Sequence, residues 1–115
     1  MTQLLDDLRA LDALFSDESK WTKGVYARDA LGGEVSVVSP VAVCWCLSGG
    51  GRLVISRDPE RHEALIGALN RALPQGALPQ GAWYVDWQDN PCRTFDEVKA
   101  LIAKAIATEE GRGSP

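Results

Sequence analysis

One stretch of this 115-residue chain restricts its fold more than any other: Thr94-Phe95-Asp96-Glu97 and the residues that follow. The spacing is that of a capping box. The Thr94 hydroxyl can accept from the Glu97 backbone N–H while the Glu97 carboxylate reaches back to the Thr94 N–H. Asp96 and Glu97 also place negative charge at the positive end of the helix dipole. Downstream, Phe95, Val98, Leu101, Ile102, Ala105 and Ile106 recur at three- and four-residue steps and define one apolar face. The pattern predicts a helix over about 95–109, with the Gly- and Pro-containing end at 110–115 fraying as a disordered tail.

The residues before this helix alternate. Trp83, Val85 and Trp87 interleave with Tyr84 and Asp86, a period of two that predicts a short extended segment with one face buried. Asp89-Asn90-Pro91 then reads as a turn, since Asp and Asn bond nearby backbone N–H groups and proline holds Asn90 extended. Two readings of this turn stand side by side. In one it is a structural latch that supplies polar partners to the indoles. In the other it is a surface site with Asp86, Asp89, Asn90, Cys92 and Arg93.

Three further helices are expected. Leu4, Leu5, Leu8, Leu11, Leu14 and Phe15 make an apolar stripe over 3–15, with Asp6, Asp7, Arg9 and Asp12 on the other side. Asp58-Pro59 opens a helix whose stripe is His62, Leu65, Ile66, Leu69, Ala72 and Leu73, closed by Pro74. The run Val41–Leu47 is apolar throughout. Ser39-Pro40 before it and Gly49-Gly50-Gly51 after it favour a central helix over 40–48, with Gly49 in the left-handed terminating position. A buried strand is the competing assignment, because Val41, Val43 and Trp45 prefer β structure. Between 25 and 38 the alternation around Ala30-Leu31-Gly32-Gly33 predicts a hairpin, and 52–56 is a candidate strand. The sequence thus predicts a mainly α domain over 1–109: a compact four-helix unit with short extended or hairpin segments. Residues 72–82 repeat Ala-Leu-Pro-Gln-Gly, a period too short for a solenoid and read as a linker.

Charge and cysteine usage narrow the function. A net charge of −4 opposes nonspecific nucleic-acid binding. Arg52, Arg57 and Arg61 are interleaved with Asp58, Glu60 and Glu63, which makes a mixed solvated surface rather than a phosphate track. No apolar run approaches the ~20 residues of a membrane span. Asp6 and Asp7 stand where an export signal carries positive charge, so a cytoplasmic location is expected. Three cysteines, an odd number, fit reduced thiols better than a disulfide framework. Cys44, Cys46, His62 and Cys92 have no metal-ligand spacing, and neither a metal nor another cofactor is expected. Ser48-Gly49-Gly50-Gly51-Arg52 lacks the remainder of a phosphate-loop pattern.

Cys92, His62, Asp89 and Asn90 are the residue types of a thiol hydrolase or transferase. Cys92 precedes a helix N-terminus, where thiolates are stabilised. The set is incomplete as a catalytic constellation, so catalysis is the second reading. The first is a protein-interaction module whose contact surface is the exposed part of Trp83, Tyr84, Asp86, Trp87, Asp89, Asn90 and Arg93, because surface aromatics and arginine make favoured anchors. A self-associating structural protein is the third.

The order of several short motifs resembles a family of small uncharacterised proteins of actinomycete and phage genomes. These are Trp21-Thr22-Lys23-Gly24, Ala27-Arg28-Asp29-Ala30, Ala42-Val43-Cys44-Trp45-Cys46-Leu47, and Trp87-Gln88-Asp89-Asn90-Pro91 with Arg93-Thr94 and Glu97-Val98. The family usually reads Trp-Asn-Asp where this chain has Trp87-Gln88-Asp89, and Gly-Ala where it has Gly49-Gly50-Gly51. The resemblance implies no established activity. It implies a compact, mainly helical domain, often of mobile-element origin; the interaction module is accordingly expected to be phage- or prophage-encoded, and, with no complete catalytic or metal set and no basic track, to act on a host protein.

Overall fold

The computed structural model describes residues 3–55, 58–73, 87–89 and 92–112. Within them the chain is a mainly α domain of four helices with a small two-stranded sheet. Helix α1 spans Gln3–Leu14, α2 Leu47–Val54, α3 Pro59–Ala72 and α4 Phe95–Arg112; β1 is Ala27–Arg28 and β2 Cys44–Trp45.

Helices α1, α3 and α4 pack on one another through the predicted stripes. Leu8 and Leu11 of α1, Phe15 just beyond it, Leu65 and Leu69 of α3, and Val98, Ile102 and Ala105 of α4 are all sealed from solvent. Side chains of this size contribute roughly 1.5–3 kcal/mol each on burial, which is why the stripes decide which faces meet. The capping box forms as the spacing requires: the Glu97 N–H donates to Thr94 Oγ1 at 3.2 Å and the Thr94 N–H donates to Glu97 Oε1 at 2.9 Å. Asp58 caps α3 by accepting from the Glu60 and Arg61 N–H groups, with Pro59 at the first turn.

Helix α4 runs past 109, through Gly111 to Arg112. Its end is held by ion pairs: Arg9 of α1 meets Glu110 at 2.6 Å and Arg71 of α3 meets Glu109 at 3.1 Å. Asp7 does not decorate solvent. It is buried between α1 and α3 and takes both Arg61 Nη2 (2.7 Å) and Arg61 Nε (3.2 Å), so Arg61 belongs to a clamp rather than to a mixed surface. A two-point guanidinium–carboxylate contact of this kind fixes orientation as well as charge.

The centre of the chain departs from the expectation. Of the expected 40–48 helix only 47–48 are helical, as the start of α2; residues 40–46 are not. Ser39 Oγ accepts from the Val41 N–H, Ser36 Oγ from the Val38 N–H, and the Ala42 N–H donates to Ser39 O, so Ser-Pro opens a turn. Serine hydroxyls offer the backbone this alternative to helix. The chain then pairs as β2 against β1, antiparallel, with Ala27 opposite Trp45 and Arg28 opposite Cys44. The β-branched and indole side chains that favour strand win over the Ser-Pro signal.

The expected hairpin turn is present. Asp29 Oδ1 accepts from the Leu31 and Gly33 N–H groups, Gly32 sits at φ 85°, and the Val35 N–H donates to Ala27 O. Its continuous partner, however, is the 44–45 strand rather than 35–37.

The glycines then begin a helix instead of ending one. Gly49, Gly50 and Gly51 lie within α2, and residues 52–54, expected as strand, complete it. The three positions are buried. A Cβ at Gly49 would stand 2.0 Å from Tyr26 O, one at Gly50 2.9 Å from Phe15 Cζ, and one at Gly51 2.9 Å from Leu65 Cδ2. The helix backbone therefore touches the sheet, α1 and α3 directly, which only residues without a side chain allow.

Candidate functional site

The sequence-predicted site divides into described and undescribed residues. Trp83, Tyr84, Asp86 and Asn90 lie outside the described residues. Trp87 and Gln88 are helical rather than extended, and both are buried, at 5% and 1% exposure. Trp87 belongs to the hydrophobic core, and so it is not an exposed anchor.

Gln88 is the hub of this region. Its Oε1 accepts the Trp21 indole N–H at 3.0 Å and the Leu47 backbone N–H at 2.6 Å, and its Nε2 donates to Asp89 Oδ1 at 2.5 Å. Asp89 in turn accepts the Gly24 N–H at 3.2 Å. One side chain thus satisfies the first backbone donor of α2 and a remote indole together. Cys46 occupies the N-cap of α2 and its Sγ accepts the Gly49 N–H at 3.2 Å. Burial pushes the Cys46 thiol pKa up, which keeps it a neutral, packing side chain.

Arg93 is anchored, not free. Its guanidinium lies 3.9 Å from the Trp87 ring centroid, Nε donates to Trp87 O at 2.9 Å, and Nη1 pairs with Glu97 at 3.2 Å. The Arg93 carbonyl accepts from Lys23 Nζ at 2.9 Å. The described part of the 83–93 stretch is therefore a latch that ties the N-termini of α2 and α4 to residues 21–24.

Cys92 is exposed and outside any disulfide, as are Cys44 and Cys46 outside disulfides. His62 stands elsewhere, on α3, in a cavity whose described walls include neither Cys92 nor Asp89. Among the described residues, no cluster of three or more His, Cys, Asp or Glu could hold a metal ion.

That cavity, of about 680 Å³, was not anticipated as a unit. The hairpin contributes Tyr26 and residues Glu34 to Val37, α2 contributes Arg52 with Ile55 behind it, and α3 contributes Pro59 and His62. The Arg52 guanidinium lies over the Tyr26 ring at 4.9 Å, a cation–π contact. Arg52 Nε and His62 Nε2 are both enclosed with no hydrogen-bond partner. Desolvation, and then the charge of Arg52, lower the His62 pKa and keep the imidazole neutral near physiological pH. A smaller cavity of about 300 Å³ shares Tyr26 and Glu34 and adds Gly24, Val25, Cys46 and Asp89.

Every other arginine with a described side chain has a hydrogen-bonding partner. Arg9, Arg61, Arg71 and Arg93 meet carboxylates, and Arg28 meets Thr22 Oγ1 and two backbone carbonyls. Sequence reading placed Arg52 in a candidate strand and His62 on the α3 stripe. No periodicity relates residues 26, 34, 52 and 62, because it is the strand–glycine–helix path that brings them together.

The exposed large apolar side chains among the described residues are Tyr26, Leu31, Val38, Val41 and Val43, with Leu31 at 96% exposure. All belong to the hairpin and the turns that follow it. No helix of the described residues is long and apolar enough to cross a membrane.

The fold and these features define a small mainly helical domain with a mixed polar–apolar cavity and no assembled catalytic constellation among the described residues. The chain belongs to a family of unknown function, DUF6197, whose model matches residues 1–108. No curated protein and no solved structure matches it.

Proposed function

We propose that this chain is a cytoplasmic protein-interaction module whose contact surface is the segment from Tyr26 to Val43. One observation carries the reading: the exposed large apolar side chains of the described residues all fall within this segment, while the apolar residues of α1, α3 and α4 pack inward. Scattered surface hydrophobics need no explanation, but a concentration on one element marks a contact surface. This surface is preferred to the described part of the 83–93 stretch, in which Trp87 is buried and Arg93 is engaged within the chain; Trp83, Tyr84, Asp86 and Asn90 lie outside the described residues. A host protein as partner of a phage- or prophage-encoded chain draws support only from the resemblance in motif order.

The thiol-dependent reading has no comparable support, because His62 faces a cavity that Cys92 does not line. The test is capture from a host lysate with the wild-type chain and with L31D/V41D, both positions being exposed. At least one protein retained by wild type and lost with the variant is expected. Identical capture profiles refute the reading. A wild-type dimer that L31D/V41D converts to monomer in sedimentation makes the occupant a second copy, and the partner reading then fails.

A further inference from the structure

The cavity formed by Tyr26, Glu34–Val37, Arg52, Ile55, Pro59 and His62 is lined by two side chains that each carry an enclosed nitrogen without a hydrogen-bond partner, Arg52 Nε and His62 Nε2. A buried polar group without a partner costs about 1–3 kcal/mol, and native proteins leave few of them. Here two such groups sit on side chains that line one cavity, and one belongs to the described arginine that lacks a hydrogen-bonding partner. We propose that this cavity binds a small organic monocarboxylate with an apolar body, the carboxylate received by Arg52 and His62 and the body lying on Val35, Val37 and the Tyr26 ring.

The walls select this class. About 680 Å³ is in the range of small-molecule sites, which pair a mostly apolar lining with a few placed polar groups. The Arg52 guanidinium, held over the Tyr26 ring, has the planar fork that matches a carboxylate. A phosphate dianion fits less well. Glu34 lines the same cavity, and the N–H groups of the first turn of α3 are already taken by Asp58. Among the described residues no run of open backbone donors is left there for multiple phosphate oxygens. With His62 held neutral by desolvation and by the charge of Arg52, the pair carries one positive charge, which a single carboxylate balances. The inference does not depend on a protein partner for the hairpin surface.

The test is an NMR titration of the intact chain with phenylacetate and, separately, with its neutral isostere phenylacetamide. Phenylacetate should shift the Arg52 Nε–H, the His62 ring and the Val35 and Val37 methyl resonances. Phenylacetamide should bind at least about tenfold more weakly, the loss of one charge-assisted contact. R52Q should abolish the phenylacetate shifts while keeping a dispersed amide spectrum, and Y26F should retain them. Should R52Q not fold, R52K keeps the charge and stem but not the planar fork, and is expected to weaken binding about tenfold. Equal binding of acid and amide, shifts centred away from these residues, undiminished binding by R52Q or R52K, or no response up to ~10 mM, weaker than any useful site, each overturns the proposal.

Discussion

In α4 the backbone is directed into a helix by its own neighbours: Thr94 and Glu97 close the first turn, and an apolar stripe about three turns long follows. In α2 the neighbours argue against helix. Three successive glycines cost about 1 kcal/mol each relative to alanine, and the cap is a cysteine. The helix forms because remote groups require it. Gln88, 41 residues away, accepts its first N–H, and Tyr26, Phe15 and Leu65 close on its glycine backbone. Local code suffices where a helix lies at the surface of the bundle and touches it by one stripe. Where a short helix is enclosed by a sheet and two helices, space decides, and propensity yields to it.

Substitution at Gly49 separates the two cases most sharply. On propensity alone G49A should stabilise α2 by about 1 kcal/mol. With Tyr26 O only 2.0 Å from the new Cβ, it should instead destabilise the fold by about 4 kcal/mol or more. G50A should cost less, because the Phe15 ring can tilt, and G51A least, because only a Leu65 methyl must move. Urea unfolding of the three variants checks the order; a neutral or stabilised G49A would break the comparison.

The remote cap is next. Q88A leaves the Leu47 N–H and the Trp21 indole N–H without their acceptor, and a loss of about 2–4 kcal/mol is expected from the two groups together. Hydrogen exchange should show the effect first at Leu47 and in α2, with α4 little affected.

The local cap comes last. T94A should cost about 1 kcal/mol, with its effect confined to the first turn of α4. The Thr94 backbone N–H, and then the Arg93 charge, hold the Glu97 carboxyl pKa below the usual value of 4.5. The folded state thus binds this proton less readily than the unfolded chain does. Glu97 therefore contributes stability above its unfolded value, and the contribution is lost as pH falls from 4.5 through the lowered folded value. E97Q should flatten that part of the acid-unfolding profile and lower stability slightly at neutral pH, where the charged carboxylate is otherwise favoured by folding.

The latch and the cavity differ in how far they could be read in advance. Trp87, Asp89 and Arg93 stand within seven residues of one another, next to a recognisable cap, so a turn that partners indoles was visible as one of two readings. The indole that Gln88 bonds is Trp21 rather than a neighbour, and that pairing spans 67 residues. The cavity had no signature. Its Arg52 appeared to belong to a short strand, and its His62 to an ordinary stripe, until α2 brought the two side chains to one wall.

By itself the sequence determined α1, α3 and α4, their inward faces, the Asp58 and Thr94 caps and the Asp29–Gly33 turn. Each is encoded by residues within about one or two helical turns, where spacing alone fixes who meets whom. Only the tertiary structure decided that 40–46 turns and pairs as strand, that the glycines are helical, that Asp7 is buried against Arg61, and that Arg52 and His62 share a cavity. Those outcomes depend on contacts across tens of residues. Ser-Pro, Val-rich and Gly-rich signals are each compatible with two local states there, and packing selects between them.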